Sequence, residues 1–181
     1  MTRIFFTLAF FSLTLVTATL LLGLTMGELG RAADDATRLH FRVHFLTGLG
    51  AALAVVFVNS IVVTYFIGTS RWCKEVAVTY ELDPSIIARS NTLKRRTFPW
   101  ALANMLVIIV VIALGAAADP GALLDNPKLW ATVHLYAALV GTAFLGWSYY
   151  VQWGNIEANH RLIAEIMASV RQIRQERGLQ V

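Results

Sequence analysis

Polar and apolar positions along this chain sort into four long apolar runs separated by shorter polar stretches. The runs cover about Ile4–Met26, His40–Gly68, Phe98–Ala118 and Leu129–Trp153. The first and third carry no charge, and the second has one, Arg42, near its beginning. About 20 helical residues cross a hydrocarbon core, and a helix satisfies its own backbone groups in lipid. The pattern therefore predicts an all-α integral membrane protein, a four-transmembrane-helix bundle. The first run exceeds the 7–15 residues of a signal-peptide core, so it is expected to remain as a span.

Between the second and third runs lie Arg71, Lys74, Arg89, Lys94, Arg95 and Arg96. Arg161, Arg171, Arg174 and Arg177 follow the fourth run, and Arg3 precedes the first. On the other side, the Gly27–Leu39 loop offsets Arg31 and Arg38 with Glu28, Asp34 and Asp35, and the Asp119–Lys128 loop has only Lys128 as a base. Basic loops stay in the cytoplasm, so both termini and the 69–97 loop are expected inside, in a bacterial inner membrane. Trp72, Trp100, Trp147, Tyr149, Tyr150 and Trp153 gather at the inner boundary, and Trp130 and Tyr136 near the outer one, as interfacial anchors do.

Two inner segments extend the picture. Asp83-Pro84 reads as an N-cap followed by proline at the first helical position, predicting a short helix to about Arg96, with Pro99 opening the third span. The stretch from Ser70 to Glu81 is also expected to be helical. The chain thus divides into a membrane domain, 1–155, with a helical loop at 70–97, and an amphipathic tail, 156–181. In the tail Ile156, Ile163 and Val170 recur every seven residues, with Asn159, Ile166 and Ile173 at the alternate seam positions. Such a seam packs on the 70–96 segment, on a second copy, or on a partner protein. No internal repeat, low-complexity stretch or Gly/Ser linker is discernible.

Composition agrees. Of 181 residues, 57% are hydrophobic and 14% charged, against about 25% charged in soluble domains. The single cysteine, Cys73, excludes an intrachain disulfide. Nucleotide-binding, metalloprotease and hydrolase motifs are absent, and the Lys94–Arg96 cluster reads as topology and attraction to anionic lipid rather than to nucleic acid. No acidic residue falls within a span, which weakens a proton-pump or ion-coupled transporter reading.

The histidines are the candidate chemistry. His40 and His44 share one face of the second span, His44 one turn or about 6 Å deeper. His134 lies about 8–9 Å into the fourth span from the same side. Gly48 and Gly141 follow His44 and His134 on their own faces, where glycine allows close approach. Arg38 and Arg42 stand at the water edge, where they could pair with carboxylates. Together these point to a b-type haem with His44 and His134 as axial ligands and propionates towards the arginines. Two alternatives stay open: a zinc or copper site using His40, His44 and His134, and plain interhelical hydrogen bonding. In the inner half Asn59, Ser60, Asn104 and Ser148 could meet, either as hydrogen bonds or, with Tyr65 and Trp147, as a quinone pocket. In architecture alone the arrangement resembles the membrane cytochrome b subunits that anchor respiratory enzymes, without any motif at matched spacing. The resemblance implies an electron-transfer subunit; a cofactor-free accessory or scaffolding subunit is the reading from a different class.

Overall fold

The computed structural model describes residues 1–26, 34–122 and 124–178. Glu28 and Arg31, used above to weigh the outer loop, and the last three residues of the tail lie outside the described residues. The described chain is all-helical. It consists of α1 (Thr2–Leu24), α2 (Asp35–Thr79), α3 (Ser85–Ala117), a 3₁₀ turn at Pro120–Ala122, and α4 (Pro127–Glu176). All four α-helices are long and apolar enough to cross a membrane.

Local chemistry sets the starts and stops. The Asp34 carboxylate accepts from the Thr37 amide at 2.8 Å and caps α2. Asn126 adopts a left-handed conformation (φ 57°), accepts from the Leu129 amide, and places Pro127 at the first turn of α4. At the α2–α3 turn Asp83 accepts from the Ser85 amide at 2.8 Å. The expected helix at 70–81 is a continuation of the second span, since α2 runs without interruption from Asp35 to Thr79. One expected break does not occur: α3 continues through Pro99 instead of restarting there. Proline lacks only its own N–H and leaves the carbonyl four residues earlier without that partner. Packing on α2 and α4 holds α3 together on both sides of it.

Each helix packs on its sequence neighbours, and α1 closes the ring on α4. α2 and α4 touch across one diagonal, whereas α1 and α3 scarcely meet across the other. The outward faces are apolar, with Phe6, Phe10, Leu53, Phe57, Leu106 and Val140 all exposed, as in helices long and apolar enough to cross a membrane. Beyond the spans α2, α3 and α4 continue together. Cys73, Ala77, Ile86, Leu162, Ile166 and Val170 form a buried core there, with Ile163 packed against it. The tail's seam is therefore turned onto the 70–96 segment. Arg89 and Glu165 close its edge with two parallel 2.8 Å bonds.

A repeat invisible in residue identities emerges from burial. The buried residues of α1 within the membrane are Phe5, Ala9, Ser12 and Val16. They correspond at one constant spacing to Thr97, Ala101, Asn104 and Ile108 of α3. Likewise Ala51, Val55, Val58, Asn59, Val62 and Phe66 of α2 correspond to Gly141, Leu145, Ser148, Tyr149, Gln152 and Ile156 of α4. The absence of a repeat expected from the sequence is thus corrected: two helical hairpins bury the same register with different side chains. The pairing of polar groups follows it, since Ser12 bonds Tyr149 at 3.1 Å and Asn104 bonds Asn59 at 3.1 Å.

Candidate functional site

His44 on α2 and His134 on α4 face each other across the diagonal, with ring centroids 6.4 Å apart and planes at 83°. Both are half-buried. The Nδ1–H of His44 donates to the Thr19 carbonyl of α1 at 3.0 Å, and that of His134 donates to the Val111 carbonyl of α3 at 3.0 Å. A carbonyl can only accept, so each neutral ring carries its proton on Nδ1 and presents Nε2 as the bare nitrogen. A backbone carbonyl on one ring nitrogen fixes the tautomer and orientation that metal-ligating histidines need on the other.

Two glycines make room for the rings. A Cβ on Gly23 would stand 3.0 Å from Cε1 of His44, and one on Gly115 would stand 3.0 Å from Cε1 of His134. Histidine, carbonyl and glycine are therefore built twice, as His44–Thr19–Gly23 and His134–Val111–Gly115. The members of the two sets are related by the same spacings that relate the buried positions of the hairpins.

The other residues singled out in the sequence fall in different places. Gly48 and Gly141 do not border the imidazoles. Gly48 lets α2 approach Thr19 of α1, with a Cβ there 3.3 Å from Thr19 Cγ2, and Gly141 lets α4 approach Val107 and Val111 of α3. Their role is helix packing next to the residues that orient the histidines. Arg38 and Arg42 are exposed at the same end of α2 as His44. His40 is turned onto the end of α1, where its Nε2 lies 2.8 Å from the Leu22 carbonyl and 3.4 Å from Thr25 Oγ1. Among the described residues no three His, Cys, Asp or Glu side chains stand together as a metal-ligand group. His160 is exposed on the extension of α4.

Gly23 and Gly115 escaped sequence reasoning because each lies on a different helix from the histidine it accommodates. A signal was present: each is the last glycine of its apolar run, near the end of the helix next to the histidines.

In the inner half, Asn59 and Asn104 are fully buried and bonded to each other. Gln152, which the sequence reading passed over, joins them by donating to Asn59 Oδ1 at 3.1 Å and to Ser148 Oγ at 3.1 Å. Ser60 is exposed, with its hydroxyl on the Val56 carbonyl. Trp147 is 59% exposed on the outer surface of α4. Tyr65 lies farther along α2, where it accepts from Asn159 and borders a surface groove of about 520 Å³.

Compared with protein-family models, with curated proteins and with solved structures, the chain finds no match. The functional reading therefore rests on the geometry.

Proposed function

We propose that this protein is a haem-b-binding membrane electron-transfer protein or subunit, with His44 and His134 as the two axial ligands. The observation that carries the reading is the facing pair of imidazoles, each with Nδ1 held by a backbone carbonyl and Nε2 bare. The distance fits the chemistry. The ring centroids are 6.4 Å apart, a separation at which both imidazoles could reach one metal centre held between them. The pair is flanked by α1 and α3, which supply the carbonyls of Thr19 and Val111 that hold the rings. Arg38 and Arg42, at the water edge of that layer, are the cations that propionate groups would meet.

The paired construction of the site supports the same reading. A haem iron accepts equivalent ligands from its two faces, and two equivalent hairpins would deliver them. A zinc or copper ion bound by the same two histidines would need further ligands, and His40 has its Nε2 on the Leu22 carbonyl instead. In this reading the helices form a four-span bundle in a bacterial inner membrane. The termini and the 69–97 loop are cytoplasmic, and the histidine layer lies near the outer face, as the distribution of basic residues requires. Partners are a lipid bilayer and redox proteins or small carriers that exchange electrons with the haem.

The test is substitution. His44→Ala and His134→Ala should each abolish the low-spin haem spectrum of the purified protein while its helical circular dichroism is unchanged. A full-strength low-spin spectrum in either variant would remove that histidine from the ligand set.

A further inference from the structure

Between the histidine layer and the inner half lies an apolar layer that includes Val16, Val55, Ile108 and Leu145. Past it are three fully buried amide side chains, Asn104, Gln152 and Asn159, whose carbonyl oxygens receive no hydrogen bond from the protein. The orientation of these amides is fixed by their neighbours. Asn59 Nδ2 donates to the Val55 carbonyl at 2.8 Å, so its Oδ1 is the atom that receives from Asn104 Nδ2 and Gln152 Nε2. Turning either amide over would set two carbonyl oxygens against each other. Thr69 gives its hydroxyl proton to the Tyr65 carbonyl, so Asn159 must meet it with Nδ2. The network therefore offers three bare acceptors, and one unpartnered donor, Asn155 Nδ2, lies on α4 between Gln152 and Asn159.

An amide oxygen left bare in an apolar medium is costly, and three buried along one column of the bundle point to a ligand that pairs with them. That ligand must donate hydrogen bonds. Gln152 and Asn159 lie on one face of α4, two turns or about 10 Å apart. Asn159 reaches Tyr65 and Thr69, both of which border the surface groove at the inner end of the spans.

We propose that this column holds resident water molecules that donate to Asn104 Oδ1, Gln152 Oε1 and Asn159 Oδ1, forming a hydrated file that is stopped towards the histidines by the apolar layer. A buried water makes about three hydrogen bonds, which suits isolated amide oxygens beside Ser148 and Tyr65 hydroxyls. A metal cation suits them less, because all three oxygens belong to neutral amides and the hydrogen bonds described for the network include no carboxylate.

Water-edited solid-state NMR on the full-length protein in liposomes tests this directly. Polarisation from water should reach the side-chain amides of Asn104, Gln152 and Asn159 at least several-fold faster than the methyl groups of Val55 and Leu145. Gln152→Met and Asn159→Leu, made separately, identify the signals by removing one each, and sequential assignment of the native protein serves if either variant fails to fold. Transfer as slow as that to Val55 would show the layer to be dry and overturn the proposal. A shift of these signals on replacing sodium with choline would also overturn it, by assigning the site to a metal cation.

Discussion

His44 and His134 differ from His40 in which ring nitrogen the backbone takes. In the first two the carbonyls of Thr19 and Val111 engage Nδ1, whereas in His40 the Leu22 carbonyl lies 2.8 Å from Nε2. That difference separates two ligand-ready imidazoles from a helix-end contact. The orientation of the rings has a spectroscopic consequence. Ligand planes at 83° act on perpendicular iron orbitals almost equally, so the ferric site should give a highly anisotropic low-spin electron paramagnetic resonance signal; a nearly rhombic one would require parallel rings. The glycine niches are testable too. Gly115→Ala places a methyl 3.0 Å from the His134 ring, and overpacking of that kind costs about 1–3 kcal/mol, or about five- to 150-fold in haem affinity if the ring must move. Gly50→Ala, in open space, should leave haem titration unchanged. The histidines and their common depth were legible in the sequence, because an ionisable group stands out within an apolar run. Their orienting carbonyls were not, since every residue has one and only helix adjacency selects Thr19 and Val111.

At the scale of elements, the extensions of α2, α3 and α4 form a small core at one end of the molecule. Its seven-residue seam was plain in the sequence, but its partner was not, since a seam of isoleucine and valine suits any apolar face. The structure gives it to the chain's own 70–96 segment. Cys73 is fully buried in that core, and burial also pushes its thiol up from the ordinary cysteine value. Full-length protein should therefore resist thiol alkylation. Removing the chain from Arg161 onward strips away Leu162, Ile166 and Val170, and should make Cys73 reactive; continued protection would mean that other groups cover it. The Arg89–Glu165 pair adds a pH dependence. Hydrogen bonding to Arg89 holds the Glu165 carboxyl below its ordinary range. Its contribution is complete above the unfolded glutamate value of about 4.3 and is lost as pH falls through the lower folded value. Both side chains are about half exposed, so the effect is small. Thermal unfolding in detergent should show a slight acid destabilisation that Arg89→Ala removes. The continuity of α3 through Pro99 was the main misreading at this scale, because local signals cannot register the two helices that pack around a proline.

For the whole molecule, the helical class and the four helices long and apolar enough to cross a membrane followed from run length alone, since a bilayer requires little more of a sequence. The internal repeat did not, because pairs such as Phe5 with Thr97 or Ser12 with Asn104 share burial and not chemistry. It gives the molecule its functional logic in our proposal: two equivalent hairpins, each offering one oriented imidazole to a shared centre. The most direct measurement is the absorbance spectrum of the protein purified in detergent from haem-replete cells, first oxidised and then reduced with dithionite. The account predicts a sharp α-band on reduction with about one haem per chain. A featureless visible spectrum in both states would contradict it.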